Sequence, residues 1–129
     1  MARLPRNPKF WLAGFLLWFA VLWTFSSFPG PGGYAPPIDH LDKVAHFGYF
    51  FGGGGLLSAW LFRLRPDRPR WTVILSTAIL ALALIGGLDE WHQTFTPGRS
   101  GNDPFDWLAD VFGAAAGGFT FKRLHHRLK

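Results

Sequence analysis

The chain has 129 residues, 49 % hydrophobic and only 16 % charged, with no cysteine and a formal net charge of +5. This length holds one domain, 1–129, and the composition excludes a disordered or collagen-like chain. The absence of cysteine excludes a disulfide framework, a thiolate zinc site, an iron–sulfur cluster and a thiol nucleophile.

Phe10 to Phe28 is a run of 19 residues without a charge. At ~1.5 Å per residue it covers about 28 Å, close to the ~30 Å hydrocarbon core of a bilayer. Arg3, Arg6 and Lys9 precede it, as in a signal peptide, but the run is longer than a usual h-region and ends in Ser26-Ser27-Phe28-Pro29. It is read as an uncleaved first helix. Pro29 to Gly33 and Pro36-Pro37 then make a stiff non-helical loop, with Asp39 placed to cap the second helix.

Val44 to Phe62 is a second run of 19 residues whose one ionisable group is His46, and Trp71 to Leu88 is a third, of 18 residues without a charge. None shows the period-2 alternation of a strand. Pro97-Gly98 stops the third helix, and Asp103-Pro104 starts a fourth as an N-cap with proline in the first position. Trp107 to Phe121 is shorter, 15 residues, and contains Asp110. The expectation is an all-α bundle of four transmembrane helices, approximately 10–28, 43–63, 71–95 and 104–121. Gly48-x-x-x-Gly52 and Gly113-x-x-x-Gly117 fit small-residue packing seams, within the chain or in a homodimer.

Charge sets the orientation. The N-terminal arm, the connection Arg63 to Arg70 and the tail after Phe121 hold 11 basic residues against one acid, Asp67. The remaining connections and helix ends hold Lys43 and Arg99 against seven acids. The positive-inside rule then puts both termini in the cytoplasm of a multi-pass protein of the inner (plasma) membrane. This distribution explains the basic balance without a nucleic-acid partner.

The chemistry-bearing residues fall on the outer side. Asp42 and His46 share a face of the second helix with Lys43 beside them, Glu90 is followed at i+3 by Gln93, and Asp106 and Asp110 are four apart. His46, Glu90 and Asp110 lie roughly 6–8 Å inside the outer helix ends, at one level. Such groups turn inward in a membrane, so a polar pocket is expected. Asp39, Asp42, Asp103 and Asp106 also sit in first turns, where a carboxylate caps free N–H groups. Glu90, at a helix C-terminus, has no cap to make and requires a partner: Lys43, Arg99 or protonated His46. Asp89 and His92, off the Glu90 face, read as solvated interface groups. The paired His-x-x-x-His or Glu-x-x-His spacing of a metal site is absent, so neither metal nor cofactor is expected.

Asp42-Lys43-x-x-His46-Phe47, then Glu90-x-x-Gln93-x-Phe95-x-Pro97-Gly98-Arg99, then Asp106-x-x-x-Asp110-x-x-Gly113 resemble the ordered motifs of the VanZ-like family of bacterial membrane proteins. Many relatives have asparagine where this chain has Asp110, and the segment from Arg99 to Asp106 is slightly longer here. The resemblance implies a small polytopic envelope protein connected with tolerance to teicoplanin, a lipoglycopeptide. By position it marks Asp42, Lys43, His46, Glu90, Gln93, Arg99, Asp106 and Gly113 as functional-motif residues.

Three classes follow. The first, carried forward, is a binding protein whose outer pocket takes a membrane lipid, a lipid-linked envelope component or a lipoglycopeptide. The second is an intramembrane hydrolase or transferase with His46 and Glu90 as acid and base and with Lys43 and Arg99 holding an anion. No Ser or Cys nucleophile is expected in that cluster. A proton path is the third, opposed by the lack of charged residues toward the cytoplasmic half.

Overall fold

A computed structural model of the chain describes residues 4–28, 39–98 and 103–128. These residues are all-α, with no strand among them: α1 Pro8–Ser26, α2 Asp39–Leu64, α3 Trp71–Gln93 and α4 Pro104–Leu124, which runs into a short 3-10 turn His125–Leu128. The first connection, Arg99 and the side chain of Asp39 lie outside what is described.

The helix ends follow local chemistry. α1 begins at Pro8, two residues early, because Asn7 accepts the Lys9 amide at 2.9 Å and Pro8 fills the first helical position. α2 is described from Asp39 onward, and the expected Asp39 cap lies outside the described residues. α3 stops at Gln93, where the chain turns so that the Thr96 hydroxyl donates to the Ser26 carbonyl at 2.7 Å, and Gly98 takes φ 82°. α4 begins as expected, with Asp103 accepting from the amides of Phe105 at 2.9 Å and Asp106 at 3.4 Å.

Two helices, α1 and α3, are long and apolar enough to cross a membrane. Charged residues near both ends of α2 and α4 and a glycine-rich middle lower the apolarity of those two.

α2 is the central helix: it meets α1, α3 and, most extensively, α4, whereas the backbones of α1 and α4 do not approach each other closely. A Cβ at Gly113 would collide with the Phe47 carbonyl, one at Gly117 with the Phe51 carbonyl, and one at Gly54 with the Ala114 backbone. The Gly113-x-x-x-Gly117 seam thus lets two backbones touch. The Gly48-x-x-x-Gly52 seam does not pack within the chain: both glycines are exposed, with nothing within 4 Å of an added Cβ. Residues 47 and 51 face α4, and one residue further turns ~100° away from it.

α1 is locked to α2 through Trp18 and Tyr49, whose side chains donate to each other's carbonyls, at 2.9 Å from Trp18 and 2.5 Å from Tyr49. The Trp18 ring lies on Gly53, where a Cβ would come within 2.5 Å of it. Trp18, Phe50, Leu57, Ala78, Leu82 and Ala114 form the core. At one end of the bundle Arg6, Arg63, Asp67 and His125 line a hollow of about 460 Å³. At the other end the start of α2, the end of α3 and the start of α4 converge.

Candidate functional site

On α2, Asp42, Lys43 and His46 face Asp103, Asp106 and Asp110, which follow one another at i, i+3 and i+7 along α4. His46 Nδ1 lies 2.8 Å from Asp110 Oδ1, and its Nε2 lies 3.7 Å from Asp42 and 3.8 Å from Asp106. Lys43 Nζ reaches Asp106 at 3.3 Å and Asp103 at 3.5 Å. Burial deepens along this row: the Asp42 side chain is 46 % exposed, that of His46 13 %, and Asp110 is fully enclosed.

Two features of neighbouring helices permit the arrangement. Gly86 on α3 faces Asp110, and a Cβ there would sit 2.8 Å from Oδ2 and 3.2 Å from the Asp110 Cβ. The close α2–α4 seam begins at the next turn, with Phe47 against Gly113. The Asp103 carboxyl at the mouth is nudged up by burial, but the amides of Phe105 and Asp106 and the Lys43 ammonium hold it below the usual carboxylate range.

Glu90 meets this row from α3, with one of its oxygens within 4.8 Å of a His46 ring nitrogen and a backbone group as its hydrogen-bond donor. Its Oε2 accepts the Asp103 amide at 3.0 Å, so it contributes to the N-terminus of α4 across the turn, while Oε1 is buried without a hydrogen bond. Asp110 Oδ2 is likewise buried and unbonded. Arg99, the other proposed partner of Glu90, lies outside the described residues.

Gln93 pairs with Asp89 and not with Glu90. Its amide donates to Asp89 Oδ2 at 2.9 Å, and the Ser26 hydroxyl donates to Asp89 Oδ1. Asp89 is 1 % exposed, which corrects its reading as a solvated interface group. The i,i+4 spacing of Asp89 and Gln93 is the signal that could have found it. His92 is also not freely solvated: its ring stacks on Trp23 with centroids 3.8 Å apart and planes 3° apart.

Between α1, α2 and α3 a cavity of about 250 Å³ carries Ser26, Asp42, His46, Asp89 and Gln93 on apolar walls that include Leu22 and Phe50. Ser26 therefore shares a cavity with His46, contrary to the expectation of no serine in the cluster, although its hydroxyl is engaged by Asp89. Glu90 and Asp103 line a second hollow of about 310 Å³ on the α3–α4 side, with Trp107.

The described groups of this end are six carboxylates, Asp42, Asp89, Glu90, Asp103, Asp106 and Asp110, against Lys43, His46 and His92. Lys43 is engaged by two aspartates, so it is not an open grip for an anion. One ligand atom each from His46, Glu90 and Asp110 lie within 4.8 Å of one another, as do one each from Asp42, His46 and Asp106. The fold thus assembles from three helices two cation-sized groups that no local spacing announces.

Comparison of the chain with family models, curated proteins and solved structures finds no match.

Proposed function

We propose that this is a four-span protein of the inner (plasma) membrane, both termini cytoplasmic, whose outer end binds the polar part of a membrane lipid, a lipid-linked envelope component or a lipoglycopeptide. The VanZ-like resemblance of its motifs points the same way and belongs to the proposal. The observation that carries it is the His46–Asp110 pair, buried among carboxylates beside a cavity with apolar walls. A ligand with a polar head and an apolar body suits such a cavity.

The membrane reading draws on exposure. Only 17 % of the apolar span of α1 and 28 % of that of α3 are buried, and Leu80, Leu84, Phe112 and Phe119 are all more than half exposed. In water so much contiguous apolar surface would be an aggregation hazard, whereas in lipid it is the solvated face. α2, with 26 residues, reaches about 39 Å at ~1.5 Å per residue, enough to span with its charged ends at the interfaces. Gly48 and Gly52, unused within the chain, are the glycine pair left for a homodimer.

A second reading, an intramembrane hydrolase or transferase, draws on the same pair. A carboxylate at Nδ1 fixes the tautomer of His46 and leaves Nε2 as a base, with Glu90 as the acid. His46→Asn separates the two readings: partial lipoglycopeptide tolerance in cells follows from binding, and complete loss at unchanged protein level follows from proton transfer.

Filling the cavity tests the binding reading. Ala45 lines it beside His46, and Ala45→Trp should remove a lipid or lipid-linked species that mass spectrometry detects on the wild-type protein released from membranes. Identical bound species on both proteins would refute the cavity as the site.

A further inference from the structure

The geometry points to a divalent transition-metal site, with Zn²⁺ the matching ion, formed by His46, Glu90 and Asp110. It goes beyond the lipid-binding reading and does not need it.

Three observations carry the site. One ligand atom from each of the three residues lies within 4.8 Å of the other two, so small side-chain adjustments bring all of them to the ~2.0–2.2 Å of zinc–nitrogen and zinc–oxygen bonds. Two buried carboxylate oxygens of these residues, Glu90 Oε1 and Asp110 Oδ2, have no hydrogen-bond partner among the described residues, although Glu90 is only 4 % exposed and Asp110 0 %. Buried anionic oxygens without a donor are costly unless a cation meets them. The surplus of carboxylates over cations among the described residues of this end supplies the charge that a dication would balance.

The surrounding groups suit the role. The Asp103 amide holds Glu90 through Oε2 and leaves Oε1 for an ion. With His46 Nδ1 turned to the ion, its Nε2–H points at Asp42 and Asp106, 3.7 and 3.8 Å away. A carboxylate behind a ligating histidine is the usual second layer of a zinc site, where it fixes the ring and strengthens the nitrogen as a donor. Lys43 is tied to Asp103 and Asp106, so its charge stays off the ligand oxygens. Three protein ligands of mixed nitrogen and oxygen leave a position open for water or for a phosphate or carboxylate oxygen.

The test is metal content and affinity of the purified full chain in detergent, stripped with chelator and titrated with Zn²⁺ and, separately, Mn²⁺. About one zinc per chain should bind, and the thermal unfolding midpoint should rise with zinc concentration. Glu90→Gln and Asp110→Asn should each weaken zinc binding at least about tenfold, whereas His126→Asn, at the opposite end, should leave it unchanged. Binding that survives both carboxylate variants would assign the metal to another place and overturn the site. If those variants fail to accumulate, Co²⁺ loaded into the wild-type chain decides: a visible spectrum of four or five coordination with nitrogen and oxygen supports the site. A pale six-coordinate spectrum, or no zinc retained and no thermal shift, overturns it.

Discussion

Asp110 Oδ1 meets His46 Nδ1 at 2.8 Å across the α2–α4 seam, and it can do so only because residue 86 of α3 has no side chain. A Cβ at Gly86 would crowd both the carboxylate and the Asp110 Cβ, the latter fixed to the helix. The chemistry of the site and the small-residue packing of the bundle are therefore one arrangement.

Glycine substitutions should divide by the atoms they meet. Gly86→Ala and Gly113→Ala should lower stability by about 1–3 kcal/mol each, since fixed atoms must move. Gly87→Ala, which meets only Trp107 Nε1 at an ordinary 3.8 Å, should be neutral or stabilising by up to ~1 kcal/mol through helix propensity. Thermal unfolding of the detergent-solubilised variants measures the difference, and equal losses at all three positions would contradict the seam.

Glu90 is expected to tolerate an amide and reject a hydrocarbon. Glu90→Gln keeps an oxygen for the Asp103 amide, while Glu90→Leu leaves that donor bare at a cost of about 1–3 kcal/mol. Membrane abundance by immunoblot should follow wild type ≈ Gln > Leu. Equal abundance of the two variants would mean that Glu90 is solvated.

Asp89 joins α1 to α3 through Ser26 and Gln93. Asp89→Leu strands both donors and should destabilise by about 2–4 kcal/mol, whereas Asp89→Asn, with one acceptor left, should lose about half as much. Ser26→Ala in the Asp89→Leu background should add little, because the interaction is already gone. A fully additive double variant in unfolding measurements would contradict the bond.

The four helices were legible because each apolar block is long and bounded by charge or by Pro-Gly, and both signals act locally. The common level of His46, Glu90 and Asp110 was legible as well, since residues an equal depth from helix ends share a level, but the particular pairing of His46 with Asp110 was not. Which face of each helix looks inward was harder to read. Asp89 and Glu90 are neighbours in sequence, and only the packing of α1, fixed by Trp18 on Gly53 and Tyr49, turns Asp89 toward Ser26. Gly48-x-x-x-Gly52 has the same spacing as the seam that packs and differs from it by rotation alone. The Glu90 partner, a backbone amide 13 residues on, depends on a loop path that periodicity does not encode.

The most direct measurement uses the natural absence of cysteine, which makes every introduced thiol unique. Thr94→Cys at the acidic end, and Arg68→Cys and Arg123→Cys at the basic end, are exposed positions on which to test the four-span topology. In intact cells a membrane-impermeant maleimide should label Thr94→Cys alone, and the other two should react only after permeabilisation. Labelling of Arg68→Cys or Arg123→Cys from outside, or protection of Thr94→Cys, would contradict an acidic pocket facing outward above a cytoplasmic basic end.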